Sequence, residues 1–259
     1  MRRVVSNARG RLFPGTSTHV VMRASCLLLF GFLTGDSLRT FRRMRSVAAV
    51  VLLCIGLATL AVASSGGDIS EYYASSTFSC TIQNGWSFVI VRSYCSYGGV
   101  DSNAPATLNQ AIAAGMPYHD VYHFPCIGVD ASSQVQADYN QVHGLFGMMW
   151  FDIETNPSPN CGWSDASTNC NFMLQLIQAA QGLGIHPGIY ASAYMWGNIM
   201  GDGCTVGADN GVPLWYAHYD QNPSFSDFSP FGGWTKPNIK QYWDSVGMCG
   251  INADADWYP

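Results

Sequence analysis

The sequence predicts an α/β fold in which a mainly parallel sheet closes into a β/α barrel with fewer helices than strands. After residue 65, short apolar or β-branched runs alternate with helix-like segments, and strands separated by helices build parallel sheets. Seven or eight strands, apolar enough to be buried on both faces, favour a closed barrel over an open sheet. From Asp202 onward the chain is rich in Gly, Pro and Asn, so we expect loops as the last connections.

The elements follow from local patterns. Short apolar or β-branched runs between turn residues predict seven strands, at 67–70, 88–94, 119–124, 148–154, 186–191, 214–219 and 238–243. Three helices are predicted between them, at 105–114, 132–143 and 171–183. The first opens with proline, the second is polar and amphipathic, and the third carries apolar residues before two glycines.

The N-terminal region is excluded from the fold. After Met44 and Arg45, an apolar run from Val47 to Ala63 ends on small residues, which predicts a secretory signal peptide at 44–65. A membrane anchor is the alternative, although this run is at the short limit for spanning a bilayer. Residues 1–43 are interpreted as a non-structural extension, which leaves 66–259 as one domain in the secreted protein or in a lysosomal or phagosomal lumen, with no stable membrane association.

Charge excludes one class of partner. Beyond residue 65 there are three cations, Arg92, Lys236 and Lys240, against sixteen carboxylates, which gives a formal charge of −13 with His neutral. A nucleic-acid partner is therefore not expected, because phosphate binding requires clustered Lys and Arg. A monomer is expected.

Seven cysteines lie beyond the predicted signal peptide, and in a secreted chain they predict disulfides with one odd thiol. Cys161 and Cys170 bracket a Ser/Asn-rich loop and are the predicted pair. No Cys-x-x-Cys and no His/Cys spacing typical of a metal site occurs in the sequence. No metal and no cofactor is predicted.

The most informative motif is Asp152-Ile153-Glu154 at the end of an apolar strand. Side chains at i and i+2 of a strand point to the same face, about 7 Å apart. Glycosidases use such a pair, because one carboxyl group protonates the leaving oxygen while a neighbouring carboxylate stays charged. In barrels the working groups lie at the C-terminal strand ends.

Other strand ends carry further candidate groups, each with a structural alternative. Asp68 is a candidate acid or the cap of the following helix. Arg92 is a substrate ligand or an ion-pair partner of Asp68 or Asp152, and His123 is more often a hydrogen-bonded wall residue than a proton carrier. The aromatic candidates suit stacking on sugar rings or are plain core; they are Tyr94, Tyr122, Tyr190, Trp215 and Tyr242.

Taken together, these residues resemble the family 25 glycoside hydrolases, the lysozymes of Chalaropsis type, and in particular their secreted branch from amoebae and nematodes. The resemblance runs from Gly66 to Tyr258. It rests on motifs in the same order along the chain, which are Gly-Asp-Ile-Ser at 67–70, Phe-Val-Ile-Val-Arg-Ser-Tyr at 88–94, Val-Tyr-His-Phe-Pro at 121–125, Phe-Asp-Ile-Glu at 151–154, Gly-Ile-Tyr at 188–190, Leu-Trp-Tyr-Ala at 214–217 and the closing Ala-Asp-Ala-Asp-Trp-Tyr at 253–258.

The resemblance implies an irregular TIM-like barrel and a secreted lysozyme that hydrolyses the β-1,4 bond between N-acetylmuramic acid and N-acetylglucosamine in peptidoglycan, in antibacterial defence or digestion of bacteria. The implied catalytic residues are Glu154 as general acid/base with Asp152, Asp68 and Asp254. Asp256 is an alternative to Asp254. The implied substrate-binding residues are Arg92, Tyr94, Tyr122, Tyr190, Trp215 and Tyr242. Attack by a carboxylate and assistance by the substrate's acetamido group both remain open.

Two other functions are weighed against this one. A chitinase-like hydrolase also has a D-x-E strand, but it normally shows two further Asp at the alternate positions occupied here by Met148 and Trp150. A sugar-binding pseudoenzyme is disfavoured because all four carboxyl groups are present.

Overall fold

The computed structural model describes residues 63–259; the predicted N-terminal extension and most of the predicted signal peptide lie outside the described residues. The strands are β1 Ser64–Ile69, β2 Trp86–Cys95, β3 Gly99–Val100, β4 Tyr118–His123, β5 Met148–Asp152, β6 His186–Ala191, β7 Leu214–Ala217, β8 Ile239–Val246 and β9 Ala253–Tyr258. The helices of the described part are α1 Ser75–Gln83, α2 Ala104–Ala114, α3 Ala131–Val142, α4 Ala166–Gly182, α5 Ala193–Ile199 and α6 Val206–Asp209.

Eight of the strands form a closed barrel, in the order β1, β2, β4, β5, β6, β7, β8, β9 and back to β1. The neighbours from β1 to β8 are parallel, whereas β9 is antiparallel to both β8 and β1. The two-residue β3 pairs with β2 outside the barrel. The predicted irregular β/α barrel with fewer helices than strands is confirmed.

Strand β9 and helices α1, α5 and α6 were not among the predicted elements. The connection from β8 to β9 covers only residues 247–252, which is too short for a parallel crossover and therefore enforces an antiparallel strand. Helix α1 is rich in Ser, Thr and Cys and lacks a side-chain cap, so local propensity does not reveal it. Helix α4 begins five residues earlier than predicted, where Asp165 caps its first turn.

Large side chains fill the barrel interior. Trp150 and Trp215 are almost fully buried and meet edge to face, with ring centroids 5.9 Å apart. Gly188 on β6 is required here, because a Cβ atom at this position would lie 2.2 Å from the Trp150 ring. A second apolar layer packs between the sheet and the helices. Trp150, Trp215 and the apolar side chains around them therefore fill the lower interior of the barrel.

Three disulfides join the described residues, and the predicted pair is wrong. Cys161 bonds Cys126, Cys170 bonds Cys204, and Cys80 bonds Cys249. Cys170 lies one turn inside α4 and faces the segment after α5, whereas Cys161 lies in the loop beside the end of β4, so closeness in sequence does not give closeness in space. The predicted odd thiol is the buried Cys95.

Among residues 63–259, no helix combines the length and the apolar character needed to cross a bilayer.

Candidate active site

A pocket of about 110 Å³ opens at the C-terminal ends of the barrel strands. It is lined by Asp68, Tyr122, Asp152, Glu154, Tyr190, Trp215, Tyr219, Gln241 and Asp254. The four acids among these residues, Asp68, Asp152, Glu154 and Asp254, are called the pocket carboxyl groups. No lining residue is cationic.

Asp152 and Glu154 enter the pocket from the end of β5, as the alternation of strand residues predicts. The strand pairing continues past Asp152, since the Ile153 amide donates to the Tyr190 carbonyl at 2.9 Å. The indole Nε1 of Trp163 donates to the backbone carbonyl of Glu154 at 2.6 Å. The backbone that carries Glu154 is therefore held on both sides.

Asp68 and Asp254 enter from the antiparallel pair β1 and β9, where they lie directly opposite each other. The Nε2 group of Gln241 donates to Oδ2 of both, at 2.6 Å to Asp68 and 3.2 Å to Asp254. Asp256 points to the same face two residues on, but it is fully buried and its Oδ1 accepts from Trp215 Nε1 at 2.8 Å. The C-terminal acid that lines the pocket is therefore Asp254.

Every pocket carboxyl group has a pKa above the ordinary range. Burial, followed by repulsion from Asp254, raises the pKa of Asp68 to about 7. Burial and Asp244 raise the pKa of Asp254 to about 6. Burial, then Glu154 and Asp68, raises the pKa of Asp152 well above its usual value, and burial followed by Asp254 raises that of Glu154. The pocket can therefore hold protons at mildly acid pH.

One oxygen in the pocket is unpartnered. Asp152 is 6% exposed, and its Oδ1 has no hydrogen-bond partner among the described residues. A buried carboxyl oxygen of this kind is costly unless it binds a proton or a ligand group. It is therefore available to a substrate that enters the pocket.

Several predicted site residues lie outside the pocket. Arg92 donates from Nε to Asp101 Oδ2 and from Nη2 to the Ser70 carbonyl, so it pairs with neither Asp68 nor Asp152. Tyr94 is buried against the ring of His123, with centroids 4.1 Å apart. Arg92 and Tyr94 therefore contact other protein groups and do not line the pocket, where substrate contacts were expected.

The structure also places His123, Tyr242 and Asp68, for which the sequence offered alternatives or a substrate contact. His123 is fully buried between Asp138 and Gln134, which confirms the structural alternative. Tyr242 follows Gln241 on β8 and does not line the pocket, because successive strand residues point to opposite faces. Asp68 does not cap α1, whose N-cap residue is Ala74 without a side-chain bond.

Two pocket residues were missing from the predicted set. Gln241 is the residue before the predicted Tyr242, and Tyr219 lies two residues beyond the end of β7. The hydroxyl groups of Tyr190 and Tyr219 each donate to Gln241 Oε1, at 2.5 Å and 2.8 Å respectively. The position of Gln241 in a predicted strand was the signal available in the sequence. Its uncharged amide gave no reason to prefer it over its neighbours.

Outside the pocket, a second group of acids lies in the loop between β7 and β8. His218, Asp220 and Asp227 bring ligand atoms within 4.8 Å of one another, a spacing that a metal ion could bridge. The fully buried ammonium of Lys240 already occupies the space, donating to Asp220 and Asp227 at 2.8 Å each and to the Ser224 carbonyl at 3.1 Å. We call this group of Lys240 with Asp220 and Asp227 the loop clamp.

A β/α barrel with an acid-lined pocket at its C-terminal strand ends is typical of glycoside hydrolases. Residues 59–242 match the family model described as Lysozyme-like protein 1. A probable GH family 25 lysozyme 2 of Dictyostelium discoideum is 42% identical over 220 residues, which cover 83% of this chain and 100% of the relative. Lysozyme 4 of the same organism and family is 42% identical over 76% of this chain and 91% of its own length.

The fold comparison agrees. A family GH25 lysozyme from Aspergillus fumigatus superposes with a TM-score of 0.64 at 21% identity, over 76% of this chain and 94% of that structure. The chain belongs to the family 25 glycoside hydrolases. This confirms the family and the enzyme class predicted from the sequence motifs.

Proposed function

We propose that this protein is a lysozyme that hydrolyses the β-1,4 bond between N-acetylmuramic acid and N-acetylglucosamine in bacterial peptidoglycan. The observation that carries the proposal is the pocket itself, in which four carboxyl groups with raised pKa values meet without a cation. Glycosidic cleavage needs one protonated acid beside charged carboxylates that stabilise a positively charged sugar ring in the transition state.

Glu154 is the proposed general acid/base. It is only partly buried, so a leaving oxygen can reach it, and burial together with Asp254 raises its pKa. The backbone bond from Trp163 fixes its position. Asp152, Asp68 and Asp254 are the proposed stabilising groups, and the unpartnered Oδ1 of Asp152 is available to bind the substrate's acetamido group or to attack the sugar.

Tyr122, Tyr190 and Trp215 line the pocket and are the proposed sugar-contacting residues. Phenol and indole groups combine an apolar face with a polar edge, which suits a sugar ring.

We also propose that the protein is secreted, or delivered to a lysosomal or phagosomal lumen, as a monomer without stable membrane association. Three disulfides among the described residues support an oxidising compartment. Strand β1 begins at Ser64, so signal cleavage just before it would leave the barrel intact. Intact mass of secreted protein tests this: a chain that starts between Ser64 and Gly67 supports it, and one that retains residues 47–63 contradicts it.

The decisive test of the activity is Glu154→Gln. We expect wall lysis to fall by two to four orders of magnitude, roughly the contribution of a general acid, while the circular dichroism spectrum and glycan binding stay unchanged. Glu71→Gln makes the same change on an exposed residue after β1, whose side chain only accepts from Tyr73, and it is the matched control. Turbidity loss of bacterial walls is measured beside chitin hydrolysis.

Each outcome has one meaning. Wild-type lysis without chitin cleavage, lost in Glu154→Gln, supports the proposal. Binding without cleavage by wild type would indicate a pseudoenzyme, and chitin as the better substrate would indicate a chitinase-like hydrolase. Retention of more than about a tenth of the activity in Glu154→Gln would place the acid elsewhere.

A further inference from the structure

Gln241 is the most extensively hydrogen-bonded side chain of the pocket. It is 2% exposed. Its Nε2 group donates to Asp68 and Asp254, and its Oε1 accepts from the hydroxyls of Tyr190 and Tyr219. A neutral amide has two N–H donors and two acceptor lone pairs, so its whole hydrogen-bonding capacity is used.

The two tyrosines and the two acids together favour one orientation of the amide. Both hydroxyls reach Oε1, which turns the Nε2 donors toward the acids. A flipped amide would place Oε1 against the two carboxyl groups, where charged carboxylates offer no proton to donate. The observed orientation therefore favours the charged forms of Asp68 and Asp254 over their protonated forms.

This bond matters because no cation lines the pocket, and the other side chain that hydrogen-bonds Asp68 and opposes its protonation is the buried acid Asp256. Burial and mutual repulsion raise the pKa of Asp68 to about 7, and the Gln241 bond is among the contacts that oppose this rise. The nearest cations of the described domain are used elsewhere, Arg92 on Asp101 and Lys240 in the loop clamp. Gln241 thus supplies donors where other sites use a charged residue.

We propose that Gln241 is a positioning residue of the reaction, which holds Asp68 and Asp254 together and opposes their protonation through an amide fixed by Tyr190 and Tyr219. The inference rests on the proposed lysozyme activity. It predicts that the pKa values of Asp68 and Asp254, already raised by burial to about 7 and about 6, would rise further without the amide.

Other titratable groups face these two acids and share in their behaviour. On the packed elements they are Tyr122 on β4, Asp152 and Glu154 at the end of β5, Tyr190 on β6, Tyr219 after β7, Asp244 on β8 and Asp256 on β9. None of them changes in the variants that replace Gln241 alone, so a shift in those variants reports on the amide.

The test compares Gln241→Met with wild type across pH. Methionine has a similar length but no N–H donors, so the carboxylates lose their shared partner. We expect kcat to fall about 10- to 100-fold with little change in KM, and the acid limb of the pH profile to move toward neutrality by about one pH unit. Tyr190→Phe with Tyr219→Phe, which frees the amide to turn, should shift the limb in the same direction by a smaller amount.

Gln241→Glu sharpens the test, because it keeps the acceptor for both tyrosines while replacing the donors by oxygen. Its acid limb should move at least as far as that of Gln241→Met. Gln136→Glu makes the same change on the exposed face of α3, where the side chain bonds only Asn140, and it should leave the profile unchanged. Equal loss at every pH in both Gln241 variants would reduce the residue to a packing role and overturn the proposal.

A second readout does not depend on catalysis. The carboxyl carbon of Asp68, followed by NMR in substrate-free protein, should titrate at higher pH in Gln241→Met than in wild type. An unchanged titration in a folded variant contradicts the proposal. Failure of the lysozyme activity itself would appear as an inactive wild type, while this titration would still decide the role of Gln241.

Discussion

The pocket carboxyl groups and the loop clamp both contain acidic side chains, but the pKa values of these acids are shifted in opposite directions. In the pocket, burial and mutual repulsion raise every pKa. In the loop clamp, burial also acts against the charged forms, but hydrogen bonds from Lys240 and His218 outweigh it and lower the pKa of Asp227 to about 2. The difference is made by two side chains that the pocket has no counterpart of, His218 and the buried Lys240.

This comparison separates a reactive arrangement from a structural one. The loop clamp satisfies all three donors of Lys240, and the pKa of each of its two carboxyl groups lies below the ordinary value. The pocket leaves charge uncompensated and one oxygen of Asp152 without a partner. Uncompensated, proton-binding groups in a cleft are the features expected of a catalytic site.

The largest expected effect separates the two acids of β9. Asp254→Asn should lower wall hydrolysis at least about 100-fold, because it removes an ionisable acid that lines the pocket. Asp256→Asn should stay within about threefold of wild type. Burial raises the pKa of Asp256 well above its ordinary value, which favours the neutral form, and an amide can accept from Trp215 as the acid does.

Initial rates on purified peptidoglycan, with thermal unfolding of each variant, check this prediction. If Asp256→Asn is as inactive as Asp254→Asn while both remain folded, the division between a pocket acid and a neutral supporting acid is wrong.

The next effect concerns pH. Activity should peak on the acid side and fall at least about tenfold from the optimum to pH 8, because Glu154 must be protonated, and burial and Asp254 raise its pKa. The loop clamp stays charged throughout, since Asp227 titrates near pH 2, so release of the loop cannot cause the loss.

Added salt separates two contributions to the pH dependence of lysis, the repulsion of the anionic wall and the protonation of Glu154. The domain carries a formal charge of −13 and the wall is also anionic, so added salt at neutral pH should recover part of the lysis. A short neutral oligosaccharide should show the same pH dependence without the recovery. Activity that peaks above pH 7.5 on both substrates would contradict the assignment of Glu154.

The smallest effect on activity, and the largest on stability, is expected at the loop clamp. Lys240→Met should lower the free energy of unfolding by about 2–3 kcal/mol, because two partly buried carboxylates lose their cation. Lys236→Met, on an exposed residue nearby, is the matched control and should change it by less than about 0.5 kcal/mol. Urea unfolding at neutral pH measures both, and equal values would show that the clamp contributes nothing.

Local sequence patterns predicted the seven parallel strands and the common face of Asp152 and Glu154. These features depend on alternation and apolar runs, which are local. The antiparallel β9, the disulfide partners and the pairing of Arg92 with Asp101 depend on which segments meet after the barrel closes. They carry no local signal and were missed or wrong.

Gln241 shows what local sequence patterns do not reveal about the site. Its residue type is uncharged, and its importance arises from four partners that come from β1, β6, β9 and the segment after β7. No spacing along the chain brings these partners together. The catalytic acids were visible as a motif, whereas the group that organises two of them became visible only in three dimensions.

The central claim is that the pocket holds protons at a pH where the loop clamp does not. The most direct measurement is an NMR titration of all Asp and Glu carboxyl carbons in the wild-type protein without substrate. The account predicts transitions near pH 7 for Asp68 and near pH 6 for Asp254, with Asp227 remaining ionised down to about pH 2. Titration of Asp68 and Asp254 near the ordinary value of about 4 would contradict it.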